Sequence, residues 1–303
     1  MLELHGFPFE AMGTVCNLYF YAEDEARAQT AADQAIAEVA RIETKYSRYD
    51  PESFLSHINS VAQIGGELEV DDETASLLNF AHYCNAQSDG LFDITCGILR
   101  RAWGDFSEEH LPEKGAIEKL LPLVGMEKIR WSTPRLAFPV PGVELDFGGL
   151  GKEYGSDKAA DVLADNGIMH GLVDLGGDMN VLGPHPNGEP WQIGIIHPRE
   201  PGQLLGNVAI HKGALASSGD YERCVIIDGE RYSHILNPKT GRPSKGLASA
   251  SVMAQRCILA GSMTTIALLK GLDGPRWLAE RNEKHLCYDV DGNQGGNIVL
   301  SPA

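Results

Sequence analysis

An α+β fold with a largely antiparallel sheet is predicted by three features of this 303-residue chain. Long helical periodicities come early, strand-like alternation crowds the later part, and no regular strand–helix–strand repeat joins them. No low-complexity tract or internal repeat interrupts the chain, so residues 1–303 read as a single domain.

The segment "TVCNLYFYA" alternates and is rich in β-formers, which makes it a strand. "DEARAQTAADQAIAEVARIETKYS" follows with helical spacing and an acidic first turn. "DDETASLLNFAHYCNAQSDG" is a second helix, stopped by Gly90. Short strands are expected in "KIRWS" and "RLAFP" within a turn-rich region. "GVELDFGGLGKEYGSDKAADVLADNG" reads as strand, glycine loop, then helix closed by Gly167. "GLVDLGGDMNVLG", "WQIGIIHP" and "GNVAIHKGALASSG" read as strands of a sheet, and Asp228-Gly229 turns a hairpin within "ERCVIIDGERYSHILNPKTGRP". "ASASVMAQ" is a strand, "CILAGSMTTIALLKG" a helix, and "KHLCYDVDGNQGG" a terminal hairpin.

Hydrophobic residues at 43% and charged ones at 22% describe an ordinary globular protein. A net charge of -17 argues against non-specific nucleic-acid or anionic-membrane binding, which needs a basic surface. The six cysteines stand singly without a C-x-x-C pair, so zinc ribbons and dithiol redox chemistry are not expected. The opening residues lack a basic segment followed by an apolar one. The chain as written is therefore expected in the cytoplasm, or in the periplasm or at a membrane if a leader precedes it.

Chemistry concentrates in glycine-flanked polar clusters. In "LDFGGLGKEYGSD", Asp146 is followed by three glycines within four residues, and Lys152 opens a helix. Backbone N–H groups and a helix N-terminus suit an anion there. Glu153 stands where a Walker A loop has Ser or Thr, and the spacing is not G-x-G-x-x-G. A tight turn with a solvated lysine is the plainer alternative. "SHILNPKTGRP" places His234 at a strand end, suited to acid–base work or to an ordinary surface turn. Asp93 lies between apolar residues and needs partners, from the protein or from a ligand. Asp174, Asp178, Asp220 and Arg223 flank further glycines. Together these clusters suggest one anionic ligand, a diphosphate offset by Lys152 and by Lys239, Arg242 or Arg223, or by a divalent metal.

Eight segments in order, "AMGT", "YSRYDPESFLSHIN", "GLFDITCGILRRAWG", "LDFGGLGKEYGSD", "LVDLGGDMNVLG", "SSGDYER", "YSHILNPKTGRP" and "LAGSMTTIALLKG", resemble the ApbE family of FAD:protein FMN transferases. The resemblance implies a T-fold-like α+β architecture and an enzyme that moves FMN from FAD to a Ser or Thr of an acceptor protein, releasing AMP. It implies FAD contacts at Met12, Tyr49, Leu91, Phe92, Asp93, Asp146, Lys152 and Ile235. It implies His234 as the catalytic histidine, and Gly149, Thr264 and Thr265 as magnesium-site positions. In the family an aspartate and the last threonine of the "LAGSMTT" segment bind the metal, but here Gly261 takes the aspartate position. Glycine commonly follows the lysine, but here Glu153 does, and its carboxylate is a candidate substitute. Non-catalytic FAD binding, or an FAD pyrophosphatase, are the alternatives that a decayed metal site would leave. Restoring the acid with Gly261→Asp is expected to raise magnesium-dependent activity. The acceptor pattern D-[ST]-G-A-[ST] is missing, so the chain is not expected to flavinylate itself.

Overall fold

The computed structural model describes residues 1–104, 106 and 109–302. The chain opens with a hairpin, β1 (Glu3–Ala11) and β2 (Thr14–Ala22), turned by Met12 and Gly13 at positive φ. Helices α1 (Glu25–Tyr46) and α2 (Phe54–Gln63) follow, each begun by a side-chain cap, Asp24 on Arg27 N and Ser53 on Ser56 N. Strand β3 (Glu67–Glu69) leads to α3 (Asp72–Gln87), capped by Asp71, and a 3₁₀ turn over Ile94–Leu99 leads to α4 (Arg100–Trp103). Next come α5 (Ala116–Leu120), β4 (Arg130–Ser132), β5 (Arg135–Ala137) and α6 (Gly151–Asp165). The strand-rich part holds β6 (Gly171–Leu175), β7 (Asp178–Gly183), β8 (Trp191–Ile196), β9 (Leu204–Ile210) and β10 (Gly213–Gly219). It continues with β11 (Cys224–Ile227), β12 (Glu230–Ser233) and β13 (Leu247–Ala254). The chain ends with α7 (Cys257–Lys270), α8 (Gly274–Glu280), β14 (Lys284–Asp289) and β15 (Gln294–Gly296).

Eight strands form one sheet in the order β1-β2-β6-β7-β10-β13-β14-β15, and every neighbouring pair is antiparallel. The fold is α+β, as the sequence predicts. Alternate residues of each strand point to opposite faces. On one face Cys16, Leu18, Phe20, Val173 and Leu175 pack against the alanine stripe of α1 and Ala159, Ala160 and Leu163 of α6. Along the same sheet Ala214, Ala216, Ala250 and Val252 meet Cys257, Ala260 and Ala267 of α7. The small side chains of α1 and α7 let these helices lie close to the strands. On the opposite face Leu172, Val181, Leu215 and Leu286 are covered by Trp191, Ile193, Ile195, Val208 and Ile210.

Those covering residues belong to β8 and β9, which pair with each other in a ribbon separate from the large sheet, with Asn207 of β9 also bridged to Ser301. The sequence reading grouped them with β6, β7 and β10, but their alternating inward face packs on the large sheet instead of extending it. β1 and α2 went unread in the sequence. The strand expected before the glycine loop is extended chain without a partner strand. The side-chain amide of Asn59 takes both main-chain groups of Leu145 (2.7 and 2.9 Å), and Asp146 N donates to Ile94 O at 2.8 Å. These bonds take the place of a ladder at Leu145 and Asp146. Among the described residues all six cysteines are free thiols. No helix among them is long and apolar enough to cross a membrane.

Candidate active site

A cleft opens between the glycine turn before α6, the 91–100 segment, the ends of β7 and β10, the chain after β12, and α7. Leu91, Phe92, Asp93, Asp146, Gly149, Lys152, His234, Ile235 and Thr265 all line it. These residues come from four separate stretches of chain, and the fold brings them to one place.

The glycine turn is built by short-range bonds. Asp146 Oδ1 accepts from Gly148 N at 2.8 Å, and Phe147 O accepts from Leu150 N and Gly151 N, which starts α6. Asp146 Oδ2 accepts from Arg48 Nη1 at 2.5 Å, with Arg100 Nε 3.7 Å away. Arg48 also bonds Glu144 and so ties the end of α1 to the turn. Arg100 and Lys152 both line the cleft, whereas Lys239 and Arg242 are exposed and lie outside the lining. The cations lining the cleft are therefore Arg100 and Lys152, not Arg223 or the lysine and arginine of the "NPKTGRP" turn. The Arg pair in "ILRRAWG" was the signal for Arg100; nothing in sequence spacing linked Arg48 to Asp146.

Asp93 holds its own segment. It caps the 3₁₀ turn through Thr95 N (2.8 Å) and Thr95 Oγ1 (2.6 Å), and its other oxygen accepts from Met126 N at 3.0 Å. Asn85 and Ser88 fix the Phe92 main chain beside it. Asp220 likewise works inside the protein, in a bidentate pair with Arg199 at 2.6 and 2.8 Å.

Lys152 Nζ donates to Asp178 Oδ2 at 2.5 Å. Burial works against the ammonium, but the Asp178 and Glu153 charges outweigh it and hold its pKa above the ordinary value. His234 follows β12, with its main-chain N and its Nδ1 both on Arg223 O, at 3.0 and 3.1 Å. A carbonyl can only accept, so Nδ1 carries the proton and Nε2 keeps the lone pair. Removal from water, reinforced by Arg100, Arg223 and Lys152, pushes the imidazole down to about 4. The ring is neutral at physiological pH.

Three of the expected positions fall outside the lining. Tyr49 is 71% exposed and meets Arg100 Nη1 at 3.3 Å. Met12 sits in the β1–β2 turn, its N–H held by Glu43 Oε1 at 2.8 Å, with its side chain against Gly155. Thr264 is fully buried, donating to Gly261 O at 2.8 Å and meeting Ser218 Oγ at 2.7 Å. It braces Ser218, a cleft residue the sequence reading did not single out.

Gly261 and Glu153 touch each other. A Cβ on Gly261 would fall 2.4 Å from Glu153 Cγ and 2.5 Å from its Oε1. Glu153 lines the cleft, is 6% exposed, and its Oε2 has no hydrogen-bond partner in the protein. Burial and the Asp178 charge raise its carboxyl above the usual range.

The sequence model of the ApbE family matches residues 12–288. The chain is 29% identical over 286 residues to the FAD:protein FMN transferase of Haemophilus influenzae, covering 90% of this chain and 82% of that protein. Among solved structures it superposes on the ApbE protein of Thermotoga maritima with a TM-score of 0.89 at 28% identity, covering 97% of both chains. It superposes on the flavin transferase ApbE of Vibrio cholerae with a TM-score of 0.85 at 26% identity, covering 98% of both. With most of the motifs meeting in one cleft and the match running through nearly the whole chain, this protein belongs to the ApbE family.

Proposed function

We infer that the chain is an FAD:protein FMN transferase: it moves FMN from FAD to a Ser or Thr hydroxyl of an acceptor protein and releases AMP. The observation that carries this reading is a neutral histidine facing the same cleft as a pinned lysine and a helix N-terminus. The acceptor oxygen attacks the phosphorus on the FMN side of the diphosphate. The bond from that phosphorus to the AMP oxygen breaks, and AMP leaves with the electron pair. His234 Nε2 takes the hydroxyl proton, which its neutral state permits. Arg223 O orients the ring by holding Nδ1.

Lys152 and Arg100 balance the diphosphate charge from the cleft wall, and Asp178 keeps the ammonium in place. Leu91, Phe92 and Ile235 supply the apolar surface for the flavin or adenine ring. Asp93 and Asp146 shape the loops around it, and Met12 and Tyr49 stand at its margin. A magnesium ion suits this site, since it binds through few carboxylates and relies on substrate phosphates for its other oxygens. The Gly149 main chain and the Thr265 hydroxyl would hold it, and when bound it would neutralise charge developing on the phosphate oxygens.

The test is AMP release from FAD, with and without magnesium, alone and with a threonine-bearing acceptor. Acceptor-dependent release is expected. Release without acceptor would make the protein a pyrophosphatase, and FAD binding with no AMP would make it a flavin carrier; either outcome overturns the transferase reading.

A further inference from the structure

We propose that Glu153 is the carboxylate ligand of the divalent cation in this cleft, presented by α6 through the space that Gly261 leaves open on α7. The proposal builds on the transferase reading of the same site.

Helices α6 and α7 run past each other in opposite directions with matching four-residue steps. Asp157 of α6 accepts from Cys257 N (2.7 Å) and Ile258 N (3.1 Å) at the start of α7. Four residues earlier on α6 is Glu153, and four residues later on α7 is Gly261; these two are in contact. Residues four apart share a helix face, so the same step on α7 leads to Thr265, while Gly149 lies in the turn just before α6. Both line the cleft with Glu153. Asp157 thus fixes the register in which Glu153 reaches residue 261.

The carboxylate occupies the volume that a side chain at 261 would need, within 2.8 Å of its Cβ position for Cγ, Cδ and Oε1. Its Oε2 is buried without a partner. The nearby cation, Lys152, is committed to Asp178. A buried carboxylate beside another acid needs a positive partner, and such an orphan is a rare feature in a folded chain. Among the described residues no group of three or more His, Cys, Asp or Glu side chains is arranged to hold a metal. Glu153 adds a carboxylate oxygen to the Thr265 hydroxyl and the Gly149 main chain, a set that suits a hard cation whose remaining ligands are phosphate oxygens.

The geometry reverses the expectation for Gly261→Asp. The new Cβ displaces Glu153, so the substitution exchanges one carboxylate for another at the cost of crowding and brings no gain in cation affinity.

The experiment is Mn²⁺ titration of the full chain with saturating FAD, followed by the electron paramagnetic resonance signal of free Mn²⁺. Wild type, Glu153→Gln and the exchange variant Glu153→Gly/Gly261→Asp are compared, with FAD binding measured on each. Glu153→Gln should weaken Mn²⁺ binding by at least about tenfold while still binding FAD, and the exchange variant should recover it. Mn²⁺ affinity of Glu153→Gln within about twofold of wild type would overturn the proposal. Should Glu153→Gln fail to fold, the exchange variant decides: Mn²⁺ binding near the wild-type level supports the assignment, and its loss in a folded protein overturns it. AMP release is assayed in parallel. A wild type that shows Glu153-dependent Mn²⁺ binding without acceptor-dependent AMP release keeps the cation assignment and sinks the transferase reading.

Discussion

His234 combines two properties that a base needs here: an oriented ring and a proton-free Nε2. The carbonyl of Arg223 sets the first, and desolvation with three nearby cations sets the second. Its neutral form is present above about pH 4 and lost as pH falls through that value. The kcat/KM profile should therefore show no inflection near the ordinary histidine value, and an inflection there that disappears in His234→Gln would contradict the assignment. His234→Ala should lower kcat by roughly 10²- to 10⁴-fold while FAD binding, followed by its thermal shift, persists. The histidine was legible from its strand-end position, but its low pKa was not, because Arg100 and Lys152 reach it only through the fold.

At the scale of elements, the site depends on α7 standing in register with α6. Asp157 makes that junction, accepting from two main-chain N–H groups of α7 and from Asn180 Nδ2 at 2.7 Å. Asp157→Ala strands those buried donors and should cost about 3 kcal/mol in urea unfolding. A loss below about 0.5 kcal/mol would mean that packing alone holds the helices. A second junction is Glu73, bonded to Arg41, Lys45 and Tyr154 and so joining α1, α3 and α6. The Arg41 guanidinium, aided by Lys45, holds its carboxyl down to about 2. A depressed folded pKa stabilises above the unfolded value and is lost as pH falls through the folded one. Glu73→Gln should therefore destabilise by on the order of 2 kcal/mol at pH 7, with the difference from wild type shrinking between about pH 4.5 and 2. A pH-independent difference would assign the effect to packing. Both helices were visible as periodic segments, whereas these cross-links span too many residues for local pattern to expose.

For the whole molecule, the large sheet has its two faces assigned to different tasks. Helices α1, α6 and α7 cover one face, with α6 and α7 lining the cleft, while the β8–β9 ribbon seals the other. Ile193 is 3% exposed within that second layer. Ile193→Ala should cost about 3 kcal/mol of stability and leave KM for FAD unchanged, since no residue of the ribbon lines the cleft. A change in KM would mean that the two faces are coupled through the sheet.

The fold class, most of the helices and strands, and the stretches that meet at the cleft follow from the sequence by itself. Periodicity and turn chemistry are local, and the ApbE motifs preserve their order along the chain. Sequence order also exposed Gly261 and Glu153 as two separate departures. Only the tertiary structure decided that they are one feature. Contact between the Glu153 side chain and a glycine 108 positions away depends on how α6 and α7 pack, and the bond from Asp157 to the start of α7 sets that register. The same holds for Arg48 on Asp146, for Arg100 in the cleft with Lys152, and for the ribbon that caps the sheet. Each depends on long-range burial and pairing of charge, which local sequence patterns do not encode.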